Sequence, residues 1–193
     1  MRARRPSDWV VDLSARHDIE EQVAQALTAH PALQLVRNST SAFDRLDFQV
    51  VCADQLVEVE VKAKRQPLSL GWQTLRPDVT PENLFVMDEL ALRRIVDAGR
   101  YAFLLVRDLP AQRWCLWSAG DLLVASRARH ARQLDTPSRK AKGKLLFDLS
   151  EAGQLSASLD EIVNTLSTTV VHLDGWWRDI APWPAQKRAM SVS

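Results

Sequence analysis

The clearest pattern in the chain is an alternation of apolar and polar residues over 46–64. Phe48, Val50 and Cys52 in one run, and Val57, Val59 and Val61 in the next, recur at every second position. That is the period of a strand with two unlike faces. If Leu46–Cys52 and Leu56–Lys64 form a hairpin with Asp54 and Gln55 at the turn, Asp47 lies opposite Lys62, Gln49 opposite Glu60 and Val51 opposite Glu58. One face of the ribbon is then apolar. The other carries Asp47, Gln49, Glu58, Glu60 and Lys62.

Helical periods flank this ribbon. Ile19, Val23, Ala26 and Leu27 predict a helix over about 17–30, capped by Asp12 or Ser14 and closed by Pro31. Leu33–Arg37 predicts a short extended segment, and Asn38-Ser39-Thr40-Ser41 a loop. Residues 66–83, with Pro67, Pro77 and Pro81, predict irregular chain. A helix is expected over 84–98, burying Leu84, Leu90, Leu92, Ile95 and Val96, with Gly99 as its C-cap. Tyr101–Val106 and Trp114–Trp117 predict strands joined by a turn at 108–112. A short helix at 119–126, a strand at 145–149 and a helix at 159–166 follow. No internal repeat and no clear linker divides the chain.

These elements predict one α/β domain, a mixed sheet flanked by helices. The length of 193 residues suits a single domain. The 46% hydrophobic and 25% charged fractions exclude disordered and fibrous classes. No apolar run approaches the ~20 residues needed to span a bilayer. The start MRARRPSDW lacks the apolar stretch of a signal peptide, so a cytoplasmic protein is expected. Cys52 and Cys115 stand in separate apolar runs and read as core residues. The four histidines make no metal-binding spacing, and no GxxxxGK[ST] phosphate loop occurs.

The net charge of +1 conceals a strong segregation. Residues 1–5 carry +3 through Arg2, Arg4 and Arg5. Residues 126–144 carry +6, from Arg127, Arg129, Arg132, Arg139, Lys140, Lys142 and Lys144 against Asp135. The rest of the chain therefore sums to −8. A basic segment of this kind suits phosphate contacts, which position a nucleic-acid backbone without reading its sequence. A solvated loop explains the same composition.

The charged face of the ribbon carries the candidate chemistry. Diagonal neighbours across an antiparallel pair are about 7–8 Å apart. Asp47 and Glu60 can therefore converge on one hard divalent cation, which takes carboxylate oxygens at about 2.0–2.1 Å and keeps several waters. Lys62, one step along, can contact a bound water or a phosphate oxygen. Two carboxylates, a lysine and a strand carbonyl suit phosphodiester hydrolysis by metal-activated water. An alternating Val/Glu/Val/Lys run is also what a half-solvated strand looks like.

The larger pattern resembles the PD-(D/E)xK nuclease superfamily, with its restriction-endonuclease-like fold. The resemblance rests on Asp47-Phe48-Gln49-Val50, twelve intervening residues, and Glu60-Val61-Lys62. The predicted elements follow the αβββαβ order, and roughly residues 17–118 are covered. Arg37-Asn38-Ser39-Thr40-Ser41 is similar in placement to the serine loop of archaeal-type Holliday-junction resolvases. Leu46 stands where the motif has proline. The resemblance implies Asp47 and Glu60 as metal ligands, Lys62 as the water-positioning lysine, and Glu20, ahead of Val23 and Leu27, as a supporting ligand. Asp44 and Glu21 compete for the roles of Asp47 and Glu20.

The expected function is a magnesium-dependent DNA endonuclease, with manganese as a substitute ion and a homodimer as the cutting unit. Junction resolution, repair and restriction or defence are equally open. The competing expectation is a non-catalytic nucleic-acid-binding or assembly module with the same fold. The expected organisation is a basic arm at 1–16, a nuclease-like core at 17–125, a basic loop at 126–144 and a C-terminal extension at 145–193 packing on the core. Trp114 and Trp117 read as core. Trp72 reads as packing on the site or stacking on an unpaired base, and Trp176, Trp177 and Trp183 as sealing the domain or a dimer interface.

Overall fold

In the computed structural model, which describes residues 6–38, 45–68, 70–131 and 143–180, the alternating runs form the expected ribbon with its register moved by two. Strands β1 (Gln34–Asn38), β2 (Phe48–Cys52) and β3 (Gln55–Lys64) make an antiparallel meander. Gln49 pairs with Glu58 and Val50 with Val57, so the turn is Ala53-Asp54 rather than Asp54-Gln55. Both turn residues have positive φ, 48° and 61°, the geometry that matches a two-residue loop to the twist of its strands. An even shift leaves every side chain on its expected face. Phe48, Val50, Cys52, Val57, Val59 and Val61 are all buried in one cluster. Ala53 tolerates positive φ poorly, at a cost of about 1 kcal/mol. Ala53→Asn is expected to recover much of that, raising the urea midpoint without changing the denaturant slope.

The main sheet has six strands in the order β1-β2-β3-β5-β6-β9, with β5 at Ala102–Asp108, β6 at Arg113–Ser118 and β9 at Gln154–Ser156. β3 and β5 are parallel and every other pair is antiparallel. A parallel pair needs a crossover. The crossover here runs through helix α2 (Leu70–Gln73), strand β4 (Leu84–Asp88) and helix α3 (Glu89–Asp97). A second sheet, β4-β8-β7, contains β7 (Arg127–Ala131) and β8 (Gly143–Asp148).

Both faces of the main sheet are covered. Helix α1 (Pro6–Ala29), through Ile19, Val23 and Leu27, and helix α5 (Leu159–Ile180), through Ile162, Val163, Leu166 and Val170, cover the face of the ribbon valines. On the other face α3, helix α4 (Ala119–Val124), β4 and β8 bury Leu104, Val106, Cys115 and Trp117. The core order α1-β1-β2-β3-α3-β5 is αβββαβ, a mixed sheet flanked by helices.

Several expectations are corrected. Leu84–Asp88 is a strand and not the start of a helix, because its run Leu-Phe-Val-Met pairs with Leu145–Asp148 of β8, a partner distant in sequence. α1 begins at Pro6, whose fixed φ suits a first helical turn. Asp12 and Ser14 therefore lie inside the helix and are not its caps. The basic segment is not a loop throughout, because β7 and the start of β8 pair as a ribbon. Beyond 144, β8 is the central strand of the second sheet and β9 an edge of the first. Gly99 follows α3 with φ 93°, as a helix terminator should. Trp114 and Trp117 are core as expected, whereas Trp183 lies outside the described residues.

Candidate active site

The β2–β3 ladder ends at the Phe48–Val59 pair, and one further step in the same register brings Asp47 opposite Glu60. Asp47 Oδ2 accepts a hydrogen bond of 2.8 Å from the Val61 backbone N–H. This bond holds the carboxylate at the flank of β3, beside Glu60. Both acids are 4% exposed, so the charged face of the ribbon is not an ordinary solvated strand. Lys62 Nζ donates to Glu60 Oε1 and, at 3.3 Å, to the Val61 carbonyl.

The electrostatics of this group leave a deficit of positive charge. Glu60 Oε2 is buried and has no hydrogen-bond partner among the described residues. Burial pushes the Glu60 carboxyl above its ordinary value of 4.5; Lys62 pulls it down, Asp47 pushes it further up, and Arg94 pulls it down. Desolvation outweighs the lysine. An orphaned carboxylate oxygen beside a second buried carboxylate is the donor set a hard divalent cation needs, and magnesium is usually held by one or two carboxylates with water completing the shell. The residues therefore fit such an ion. Among the described residues no group of three or more His, Cys, Asp and Glu is placed to hold a metal ion.

The same shift makes Glu60 a liability to the metal-free fold. A carboxyl raised in the folded state favours folding below its ordinary value of 4.5. That contribution is lost as pH rises through the raised value. Glu60→Gln is expected to melt above the wild-type protein at pH 8 in chelator, with the difference shrinking towards pH 4. Thermal melting across that range checks it.

Glu20 is buried on α1 and shares a cleft with Lys62, Arg65, Ile19, Val61 and Ala63. It is not gathered with Asp47 and Glu60 into a three-acid set. Its neighbour Glu21 is exposed and accepts from Gln25 at 3.3 Å, which separates the two competing glutamates. Asp44 and the Ser39–Ser41 loop lie outside the described residues. Glu58 is a structural residue as expected, bonded by Gln49 at 2.6 Å and Arg37 at 3.3 Å. Lys64 is ion-paired, but buried and not at the surface. It reaches Asp108 at 3.8 Å and donates to the Glu82 carbonyl.

The basic segment is only partly free to meet phosphates. Arg127 donates to the Leu122 carbonyl at 2.8 Å, Arg129 pairs with Glu89 at 2.9 Å and Lys144 with Asp88 at 2.7 Å. An added Cβ at Gly143 would collide with the Glu89 carboxylate, so glycine lets the acid close over the ribbon. Arg132, Arg139, Lys140 and Lys142 lie outside the described residues. Trp72 packs on Val79, Leu84 and Leu146 and meets the His130 ring edge-on, which commits it to the second sheet. Sequence reasoning missed the influence of Arg94 on the Glu60 carboxyl, because α3 is brought against β3 only by the fold.

No described helix is long and apolar enough to cross a membrane. No protein family and no curated protein matches the chain by sequence. Among solved structures, the chain is similar to the Holliday junction resolvase Hjc of Archaeoglobus fulgidus, with a TM-score of 0.40 and 12% identity over 77% of this chain and 92% of that one.

Proposed function

We propose that the protein is a divalent-metal-dependent endodeoxyribonuclease of the PD-(D/E)xK type. The observation that carries this reading is the buried Glu60 carboxylate, whose Oε1 accepts from Lys62 while its Oε2 has no partner among the described residues, with the buried Asp47 carboxylate acting on it. Asp47 and Glu60 would hold Mg2+ or Mn2+, with Glu20 reaching it through water from the cleft wall. When bound, the ion supplies neutralisation of the phosphate's developing charge and a more acidic water.

The chain's own residues do the rest. The Val61 N–H fixes the Asp47 carboxylate, so no reorientation is needed when substrate arrives. Lys62 lies next to Glu60 with further donor capacity, and orients the attacking water or a non-bridging phosphate oxygen. Arg129 and Lys144 would meet the DNA backbone by exchanging their carboxylate partners for phosphates, and Arg127 by exchanging the Leu122 carbonyl, with the rest of the basic segment alongside. Cutting two strands from one site each implies a homodimer.

Incubation with supercoiled, linear and branched DNA, in magnesium or in chelator, tests the reading. Metal-dependent nicking is expected, and Lys62→Ala should lower its rate by about 10²- to 10³-fold. Nicking that survives in Lys62→Ala would remove the site assignment. Tight DNA binding with no cleavage of any substrate would favour a non-catalytic module.

A further inference from the structure

Strand β3 runs on to Lys64, beyond the last rung of its ladder with β2 at Phe48–Val59. Beside that end, against α1, lies a cleft of about 160 Å³ lined by Ile19, Glu20, Val61, Lys62, Ala63 and Arg65. Ile19, Glu20 and Val61 are buried and form its inner wall. Lys62, Ala63 and Arg65 are half-buried and form its rim.

The cleft is continuous with the acid pair through two of its residues. The Val61 N–H holds Asp47 at 2.8 Å, and the Lys62 ammonium donates to Glu60 and, at 3.3 Å, to the Val61 carbonyl. A chain-like substrate lodged at Asp47 and Glu60 therefore has this cleft as its next contact. Its charges are sorted by depth. The rim carries the cations Lys62 and Arg65, and the inner wall carries the Glu20 carboxylate beside aliphatic side chains. An anion is drawn to the rim and kept from the inner wall, where the field of Glu20 is little screened. The inner wall suits an uncharged group with apolar carbons, against Ile19 and Val61. A nucleotide within a DNA strand joins those two parts, a phosphate and a deoxyribose. Lys62 and Arg65 stand about 10 Å apart along extended chain, close enough for their long side chains to address neighbouring phosphates of one strand. Arg107 lies beside Ala63 in the β3–β5 register but is turned over the Trp114 ring at 5.0 Å and donates to Gln112 at 3.2 Å. Arg65 is thus the cation that joins Lys62 in lining the cleft.

We propose that this cleft seats the nucleotide next to the scissile phosphate, with Arg65 on that nucleotide's phosphate and its deoxyribose against Ile19, Val61 and Ala63. This rests on the nuclease reading. Such contacts hold the backbone and read no base, so the cleft fixes which phosphodiester faces the acid pair without selecting a sequence.

The test uses the full chain, below the melting transition of every variant. Binding of a duplex or branched oligonucleotide is followed by fluorescence anisotropy in calcium, across a salt series. Arg65→Ala should weaken binding about tenfold and reduce the salt slope by about one, and Arg65→Lys should keep the slope. Ala63→Ile, which fills the cleft, should weaken binding with the slope unchanged, because it removes room and no charge. In magnesium, both Arg65→Ala and Ala63→Ile should slow single-turnover cleavage, whereas calorimetric titration of Arg65→Ala with Mn2+ should match wild type. Unchanged affinity and slope in Arg65→Ala would overturn the assignment, as would a folded Ala63→Ile that binds like wild type. Cleavage by the wild type would in either case leave the nuclease reading intact. Wild-type protein that binds DNA but never cuts it overturns the nuclease reading, and the calcium series still decides on the cleft.

Discussion

Replacing Asp47 or Glu60 with its amide is expected to abolish metal-dependent DNA cleavage, lowering the single-turnover rate by on the order of 10³-fold or more. The amides preserve shape, and the side-chain carbonyl introduced by Asp47→Asn can still accept the Val61 N–H that anchors the native carboxylate. The charge that would attract the ion is what disappears. Calorimetric titration with Mn2+ should lose its tight phase in both variants. Glu60→Gln carries a second signature, because the substitution that removes activity should also raise the metal-free melting temperature at pH 8. A merely structural glutamate would show the reverse, with activity falling only as stability falls. Retention of the rate within tenfold in Asp47→Asn would exclude the pair as the cleavage centre.

Removal of Asp108 is expected to be the most damaging single change to the fold. Asp108 is 0% exposed at the end of β5 and is the shared anion for two cations, Lys64 at 3.8 Å and Arg113 at 3.0 Å. Lys64 also donates to the Glu82 carbonyl, and Arg113 to Asn83 Oδ1 at 2.7 Å, so the network ties the ends of β3, β5 and β6 to the chain entering β4. Burial already pulls the Lys64 ammonium below its ordinary value, and Asp108 is the main force raising it again. Asp108→Ala leaves that ammonium buried without its counter-charge, at a cost of about 3–5 kcal/mol. For a chain of this size that is a drop in melting temperature of roughly 6–20 °C. The double variant Lys64→Met/Asp108→Leu should recover much of the loss, since apolar replacement of both members removes the stranded charge. A double variant no more stable than Asp108→Ala would place the effect elsewhere.

The two lysines of Glu60-Val61-Lys62-Ala63-Lys64 show how far the alternation of residues reaches. They share a face of β3 and look alike in sequence, yet Lys62 is half-exposed on Glu60 while Lys64 is sealed on Asp108. Period two assigns a face and says nothing about what packs over it. The apolar face of the ribbon and its acidic counterpart were legible because a residue's face depends only on parity, which a shift of two preserves. The exact opposition was not, because the backbone of Ala53 and Asp54 decided the register. The helical faces of α1 and α5 were legible for a similar reason, as 3.6-residue spacing is a local property.

What depended on partners remote in the chain was decided by tertiary structure alone. Leu84–Asp88 reads as well as a helix as it does as a strand, until β8 offers it a ladder from far along the chain. The described part of the basic segment became a ribbon through that same second sheet, where Arg129 pairs with Glu89 of α3 and Lys144 with Asp88 of β4. The residue types and the faces of the candidate site follow from the sequence, since alternation and charge are read along the chain. That Asp47 and Glu60 are buried together and that one oxygen of Glu60 lacks a partner among the described residues follow only from the fold, because burial and electrostatic field are sums over neighbours that the sequence does not place side by side.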